Sequence, residues 1–93
     1  MNPIVLSEIQ IVPVKPQDGL LAFSSFVLNN SFFVGDVAIY SRLNEPGYRL
    51  VYPLRVLKNG AKIQCFHPIN KEAARAIEEP TYNYYEKLMK RGA

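Results

Sequence analysis

Cys65 and His67 are the one cysteine and the one histidine of the chain, and they stand two residues apart in "KIQCFHPIN", residues 62–70. A thiol beside an imidazole is the pairing of a cysteine hydrolase, in which the base takes the proton of the nucleophile, and it is equally half of a metal site. In a strand, residues i and i+2 share a face with Cα atoms about 6.6–6.8 Å apart, wider than a direct thiol–imidazole hydrogen bond spans unless both side chains lean together. Catalysis also needs an orienting third group and an oxyanion hole, and no helix N-terminus follows Cys65 closely. A metal would need two more ligands from scattered acids. Ile63, Cys65, His67 and Ile69 alternate onto one face, so Cys65 reads as a small buried hydrophobe. His67, held extended by Pro68, reads as the corner where a sheet passes to a helix. No catalytic residue, cofactor or metal is expected.

The remaining acids do not change this. Asp36 is a lone carboxylate in a strand beside Gly35, better suited to bonding a turn backbone or an arginine than to acid–base work. Glu78 and Glu79 are adjacent and diverge on a helix, so they cannot face each other as an acid pair.

The elements that must carry these residues are legible in outline. Ile4 to Val14 is rich in Ile and Val, and Pro13 and Pro16 place it at a sheet edge. "KPQDGL" turns at Asp18-Gly19. "LLAFSSFVL", Leu20 to Leu28, is apolar at odd and even positions, which suits a central strand or a dimer contact. "NNS" at 29–31 reverses the chain, and "FFVGDVAIY" continues from Phe32 to Tyr40 with a bulge or close approach at Gly35. In "YRLVYPLRV", Tyr48, Leu50, Tyr52 and Leu54 alternate with Arg49, Val51, Pro53 and Arg55. Asn59-Gly60 signals a type I′ hairpin into "KIQCFHPI".

After Ile69 the period becomes helical: Asn70 is an N-cap, Glu72 lies in the first turn, and a helix is expected to run to about Glu79. Pro80 then opens a second helix reaching about residue 91. The expected fold is α+β, an antiparallel sheet of about five strands over 4–69 followed by two C-terminal helices over 70–91, all in one domain spanning 1–93.

Composition agrees with one small globular unit. The chain has 93 residues, 48% hydrophobic and 20% charged, with 11 Phe and Tyr. A domain of this size buries only about 60–65% of its unfolded surface, so a shared interface would help it. No apolar run nears the roughly 20 residues of a membrane span, and the single cysteine suits a reducing compartment, so a cytoplasmic protein is expected. Net charge is only +3. It is unevenly placed: between Pro46 and Ile77, Arg49, Arg55, Lys58, Lys62, Lys71 and Arg75 face the single acid Glu72, while the remainder of the chain is net acidic. Such a basic segment can neutralise phosphates with little base discrimination, or can be a solvated face that guards a sheet edge. Tyr40, Tyr48 and Tyr52 could stack on bases, but the alternation of Tyr48 and Tyr52 with Leu50 and Leu54 makes them core-facing. Tyr82, Tyr84 and Tyr85 read as helix packing.

From Leu28 to Leu88 the chain resembles the SpoVG family, the stage V sporulation or septation regulators of bacteria. The match is carried by "FFVGDVAIY", similar to that family's FVVxDIRVI strand, by "LVYPLR" in place of LFVxMPSKR, by Gly60, by "HPIN" and by Tyr85. The resemblance implies a small dimeric α+β domain that binds DNA or RNA as a regulator, without cofactor or reaction. Arg55 stands where the family carries the lysine of SKR. Leu54 replaces the serine before it, and Val56, Ala38 and Ala74 stand where the family carries arginines, which removes several expected phosphate contacts. The alternative is a protein-interaction module on the same fold, an inhibitor or an accessory factor of a mobile element. The interacting surface expected for nucleic acid is Arg55, Lys58, Lys62, Lys71, Arg75 and Arg49, and the homodimer contact is expected at the second strand.

Overall fold

The computed structural model describes residues 3–91. Its elements are β1 (Leu6–Gln17), β2 (Leu20–Leu28), β3 (Phe32–Ser41), β4 (Tyr48–Val51), β5 (Leu54–Val56), β6 (Lys62–Gln64) and α1 (Lys71–Arg91). β1 to β4 form an antiparallel sheet in chain order, and β5 and β6 form a separate two-stranded sheet. The α+β class holds. The continuous five-stranded sheet and the two helices do not.

Local chemistry sets the first two reversals. Asp18 (φ 54°) and Gly19 (φ 89°) lie between the paired residues Gln17 and Leu20, the positive φ at both central positions that a type I′ turn needs. Asn29 (φ 49°) and Asn30 (φ 55°) do the same, and the Ser31 N–H closes the turn on the Leu28 carbonyl at 3.0 Å. Asn29 also holds the residue before β1: Val5 N–H donates to Asn29 Oδ1 at 2.7 Å, and Asn29 N–H donates to the Val5 carbonyl at 2.8 Å. The expected type I′ turn at Asn59-Gly60 is different. Only Gly60 takes a positive φ, 87°, its N–H bonds the Leu57 carbonyl at 2.9 Å, and Leu57 N–H bonds the Ala61 carbonyl at 2.8 Å. This is a three-residue loop with a glycine bulge.

β4 pairs with β3 through Ser41↔Tyr48, Tyr40↔Arg49, Ile39↔Leu50 and Ala38↔Val51, and there the ladder stops. Two residues end it. Pro53 has no N–H to offer, and β3 is bulged between Val34 and Val37, where Asp36 is left-handed at φ 59°. The strand expected to run from 48 to 56 therefore breaks, and β5 leaves the sheet. Gly35 belongs to this bulge, and a Cβ there would meet Phe33 Cε2 at 3.0 Å. The lone Asp36 carboxylate makes no hydrogen bond or ion pair among the described residues, so neither expected partner is present.

The core lies between one sheet face and α1. Ala22, Ser24 and Phe26 of β2, with Val34, Val37 and Ile39 of β3, are buried there, and Ser24 Oγ–H donates to the Val37 carbonyl at 3.1 Å. Asn70 caps the helix, its Oδ1 accepting the Ala73 N–H at 2.8 Å. α1 then continues through Pro80. Ile77, Thr81 and Tyr85, one turn apart on either side of the proline, are 3%, 2% and 7% exposed and form a single buried stripe. Burial of that stripe outweighs the cost of about 3 kcal/mol that an interior proline carries.

Candidate nucleic-acid interface

The β5–β6 hairpin carries positive charge with no acid beside it in the chain. Residues 53–70 hold Arg55, Lys58 and Lys62 and no acid. The register Leu54↔Gln64, Arg55↔Ile63, Val56↔Lys62 puts Arg55 on one face, Lys62 on the other and Lys58 in the connecting loop. All three are exposed. The hairpin also carries apolar side chains into solvent, with Leu54, Val56, Leu57 and Ile63 all exposed. Leu54, expected to face the core with Tyr52, is thereby corrected: beyond Pro53 the strand has no core beneath it.

The other expected cations fall elsewhere. Arg49, paired with Tyr40 in the β3–β4 ladder, lies on the sheet face opposite α1, its guanidinium carbon 4.8 Å from the centroid of the Tyr40 ring. Lys71 and Arg75 are exposed one turn apart in the first two turns of α1. The six residues thus form three groups: a hairpin, a helix start and a sheet-face position. None of the six makes an ion pair among the described residues. A pair that sequence reasoning passed over does form, Arg42 Nη1 to Glu45 Oε1 at 2.7 Å, with Arg42 Nε–H donating to the Tyr48 carbonyl at 3.1 Å. Its signal was the i, i+3 spacing of opposite charges across a loop.

The Cys65–His67 pair lies just past β6. Both residues are exposed, as are Ile63 and Ile69, so the expected buried face is not formed. Phe66 is instead half-buried, its ring 5.8 Å from that of Tyr52 and packed on the core. The parity reverses because the strand ends at Gln64 and the chain bends before it reaches the core. His67 Nδ1–H donates to the Pro68 carbonyl at 3.1 Å, a local bond that fixes the ring at the corner. Among the described residues no three of His, Cys, Asp and Glu lie together as a metal site.

Of the tyrosines, Tyr48, Tyr82 and Tyr85 pack together as expected. Tyr48 meets Tyr82 and Tyr85 at centroid distances of 5.4 and 5.5 Å, and Tyr82 O–H donates to the Tyr48 carbonyl at 3.3 Å. Tyr84, on the other side of the helix, is exposed. Burial, then the nearby Glu78 carboxylate, pushes the Tyr82 hydroxyl up to about 12, against the opposite pull of Arg42. Burial likewise holds Tyr52 well above the usual tyrosine range, with Glu78 and Tyr82 adding to it. The Tyr52 hydroxyl is buried and has no hydrogen-bond partner among the described residues.

A four-stranded antiparallel sheet backed by one helix, with a basic hairpin set off from it, defines a small α+β domain. Residues 4–87 match the family model SpoVG, and the chain belongs to that family. It is 31% identical over 85 residues, 91% of this chain and 76% of the relative, to the protein named "Putative septation protein SpoVG" in Bdellovibrio bacteriovorus. A protein of the same name in Archaeoglobus fulgidus is 26% identical over 81 residues, 87% of this chain and 93% of the relative. Among the described residues no helix is long and apolar enough to cross a membrane.

Proposed function

We propose that this chain is a non-enzymatic regulator that binds DNA or RNA in the cytoplasm as a homodimer. Support comes chiefly from the hairpin, where three exposed cations stand on both faces and at the loop, with no acid in residues 53–70 and no ion pair to any of the three among the described residues. A projecting arm of this kind follows a phosphate backbone and gives salt-dependent, weakly sequence-selective binding. Lys71 and Arg75, in the helix that follows, extend the positive charge, and Arg49 contributes from the sheet. With Ala38, Val56 and Ala74 in place of the arginines that the resemblance implies, the hairpin carries a larger share of the contact.

The exposed Leu54, Val56, Leu57 and Ile63 favour a second reading, in which the same hairpin docks on another protein and the chain acts as an inhibitor or accessory factor. A pull-down from lysate with and without nuclease treatment separates the two. Recovery of nucleic acid from untreated lysate, with co-purifying proteins lost after nuclease, is the expected result. A stoichiometric protein partner retained through nuclease, with no nucleic acid recovered, would replace the first reading with the second.

A further inference from the structure

We propose that Asn59 is a self-modifying site, at which the chain converts its own side-chain amide to a carboxylate at the tip of the basic hairpin. Of the asparagines, Asn59 alone precedes a glycine. Its Oδ1 accepts the Ala61 N–H at 3.0 Å, an Asx turn that folds the side-chain amide back over the Gly60 peptide. Cγ thereby stands next to the nitrogen that can attack it, and the Ala61 N–H lies against the oxygen on which negative charge develops during attack. Gly60 leaves the approach open: a Cβ there would meet no atom of the described residues within 4 Å, and a glycine backbone turns freely as the ring closes.

Other asparagines are held differently. Asn29 Oδ1 is taken by the Val5 N–H at 2.7 Å and Asn70 Oδ1 by the Ala73 N–H at 2.8 Å, and the bulkier Asn30 and Lys71 follow them. One bond opposes reaction at Asn59, since Gly60 N–H donates to the Leu57 carbonyl at 2.9 Å. Breaking it costs little here. Every residue from Leu54 to Cys65 is exposed, β5 and β6 pair only with each other among the described residues, and a two-stranded hairpin this short opens locally with ease.

The step needs only water as co-reactant. The Gly60 nitrogen forms a bond to Asn59 Cγ and gives up its proton, the Cγ–Nδ2 bond breaks, and Nδ2 leaves with that proton as ammonia, closing a cyclic imide. Water then opens the imide at Cγ, giving aspartate, or at the Asn59 backbone carbonyl, giving isoaspartate, in which the main chain runs through the side-chain carbon. Either product carries a carboxylate that is ionised at neutral pH, beside Lys58 in a segment that otherwise holds no acid. Its effect on nucleic acid rests on the binding proposed above: the added anion offsets a hairpin cation and lowers the slope of log K against log salt by about 0.9.

The test incubates the folded wild type at neutral pH and physiological temperature beside Asn59→Gln, whose longer side chain does not close the same ring. Peptide mapping by mass spectrometry reads the acid formed at each asparagine. Conversion at Asn59 is expected to be several-fold faster than at Asn29, Asn30 or Asn44, and to be absent from this position in the variant. An Asn59 that converts no faster than these would overturn the site. Anisotropy with labelled duplex DNA then compares fresh and aged wild type with Asn59→Asp, and the aged protein and Asn59→Asp are expected to bind more weakly at low salt with the reduced slope. An Asn59→Asp variant that binds like the fresh wild type would overturn the effect on binding but not the conversion. A fresh wild type that binds no DNA would overturn the binding reading alone, and the mass measurement decides the site independently.

Discussion

Arg55 and Lys62 occupy adjacent register pairs of the β5–β6 hairpin and project from its opposite faces. A flat surface contact would engage one and leave the other in solvent. A strand of nucleic acid that wraps the arm engages both. Arg55→Ala and Lys62→Ala are each expected to weaken binding by a similar amount, with the double variant equal to the sum of the two in free energy. Fluorescence anisotropy with a labelled oligonucleotide checks this, and a loss confined to one of the two would contradict the wrapped arrangement.

Asp36 shapes the backbone at the bulge that ends the β3–β4 ladder. A left-handed residue other than glycine is tolerated best as Asn or Asp, and a β-branched side chain there costs about 1–2 kcal/mol. Asp36→Asn and Asp36→Gly are therefore expected to keep the urea midpoint near that of the wild type, while Asp36→Val lowers it. Equal losses in all three would point to a role for the carboxylate itself.

Tyr52 buries a hydroxyl that finds no partner among the described residues. Removing an unsatisfied polar group while keeping the ring is neutral or stabilising, here by up to about 1 kcal/mol. Tyr52→Phe is expected to hold or raise the urea midpoint. A loss of stability would show that the hydroxyl is bonded in solution.

Tyr52 and Tyr82 together predict an alkaline limit. Their folded pKa values lie above the unfolded value near 10. The stability they contribute is full below that pH and is lost as pH climbs toward about 12, where Tyr82 ionises in the fold. The urea midpoint of the wild type should fall across this window, and fall less in Tyr52→Phe/Tyr82→Phe. Parallel curves for the two proteins would contradict the assignment.

Residues that act through local chemistry are legible in the sequence. Asp18-Gly19 and "NNS" mark their turns, Asn70 marks the cap, and Pro13 with Pro16 marks the sheet edge. The short motifs around Asp36 and "HPIN" are enough to place the family. What stays hidden depends on partners distant along the chain. Pro53 ends β4 because its ladder neighbour on β3 is bulged at Asp36, and alternation alone cannot report a neighbour's defect. Pro80 fails to end α1 because Ile77 and Thr81 on either side of it bury on the same sheet. Alternation directs Cys65 and Leu54 toward a core that lies elsewhere, since it fixes which residues share a face and not whether that face is covered. The basic residues are visible as a group along the chain, but only register divides them between hairpin, helix and sheet.

The central claim is that the hairpin cations hold nucleic acid, and the salt dependence of binding tests it most directly. Dissociation constants for duplex DNA, measured by anisotropy across a range of salt, would be compared for the wild type and Arg55→Ala/Lys58→Ala/Lys62→Ala. Each phosphate contact removed reduces the slope of log K against log salt by about 0.9. The account predicts tight binding at low salt for the wild type and a slope lower by about 2 to 3 in the triple variant. A wild type that does not bind at low salt, or a triple variant with an unchanged slope, would contradict it.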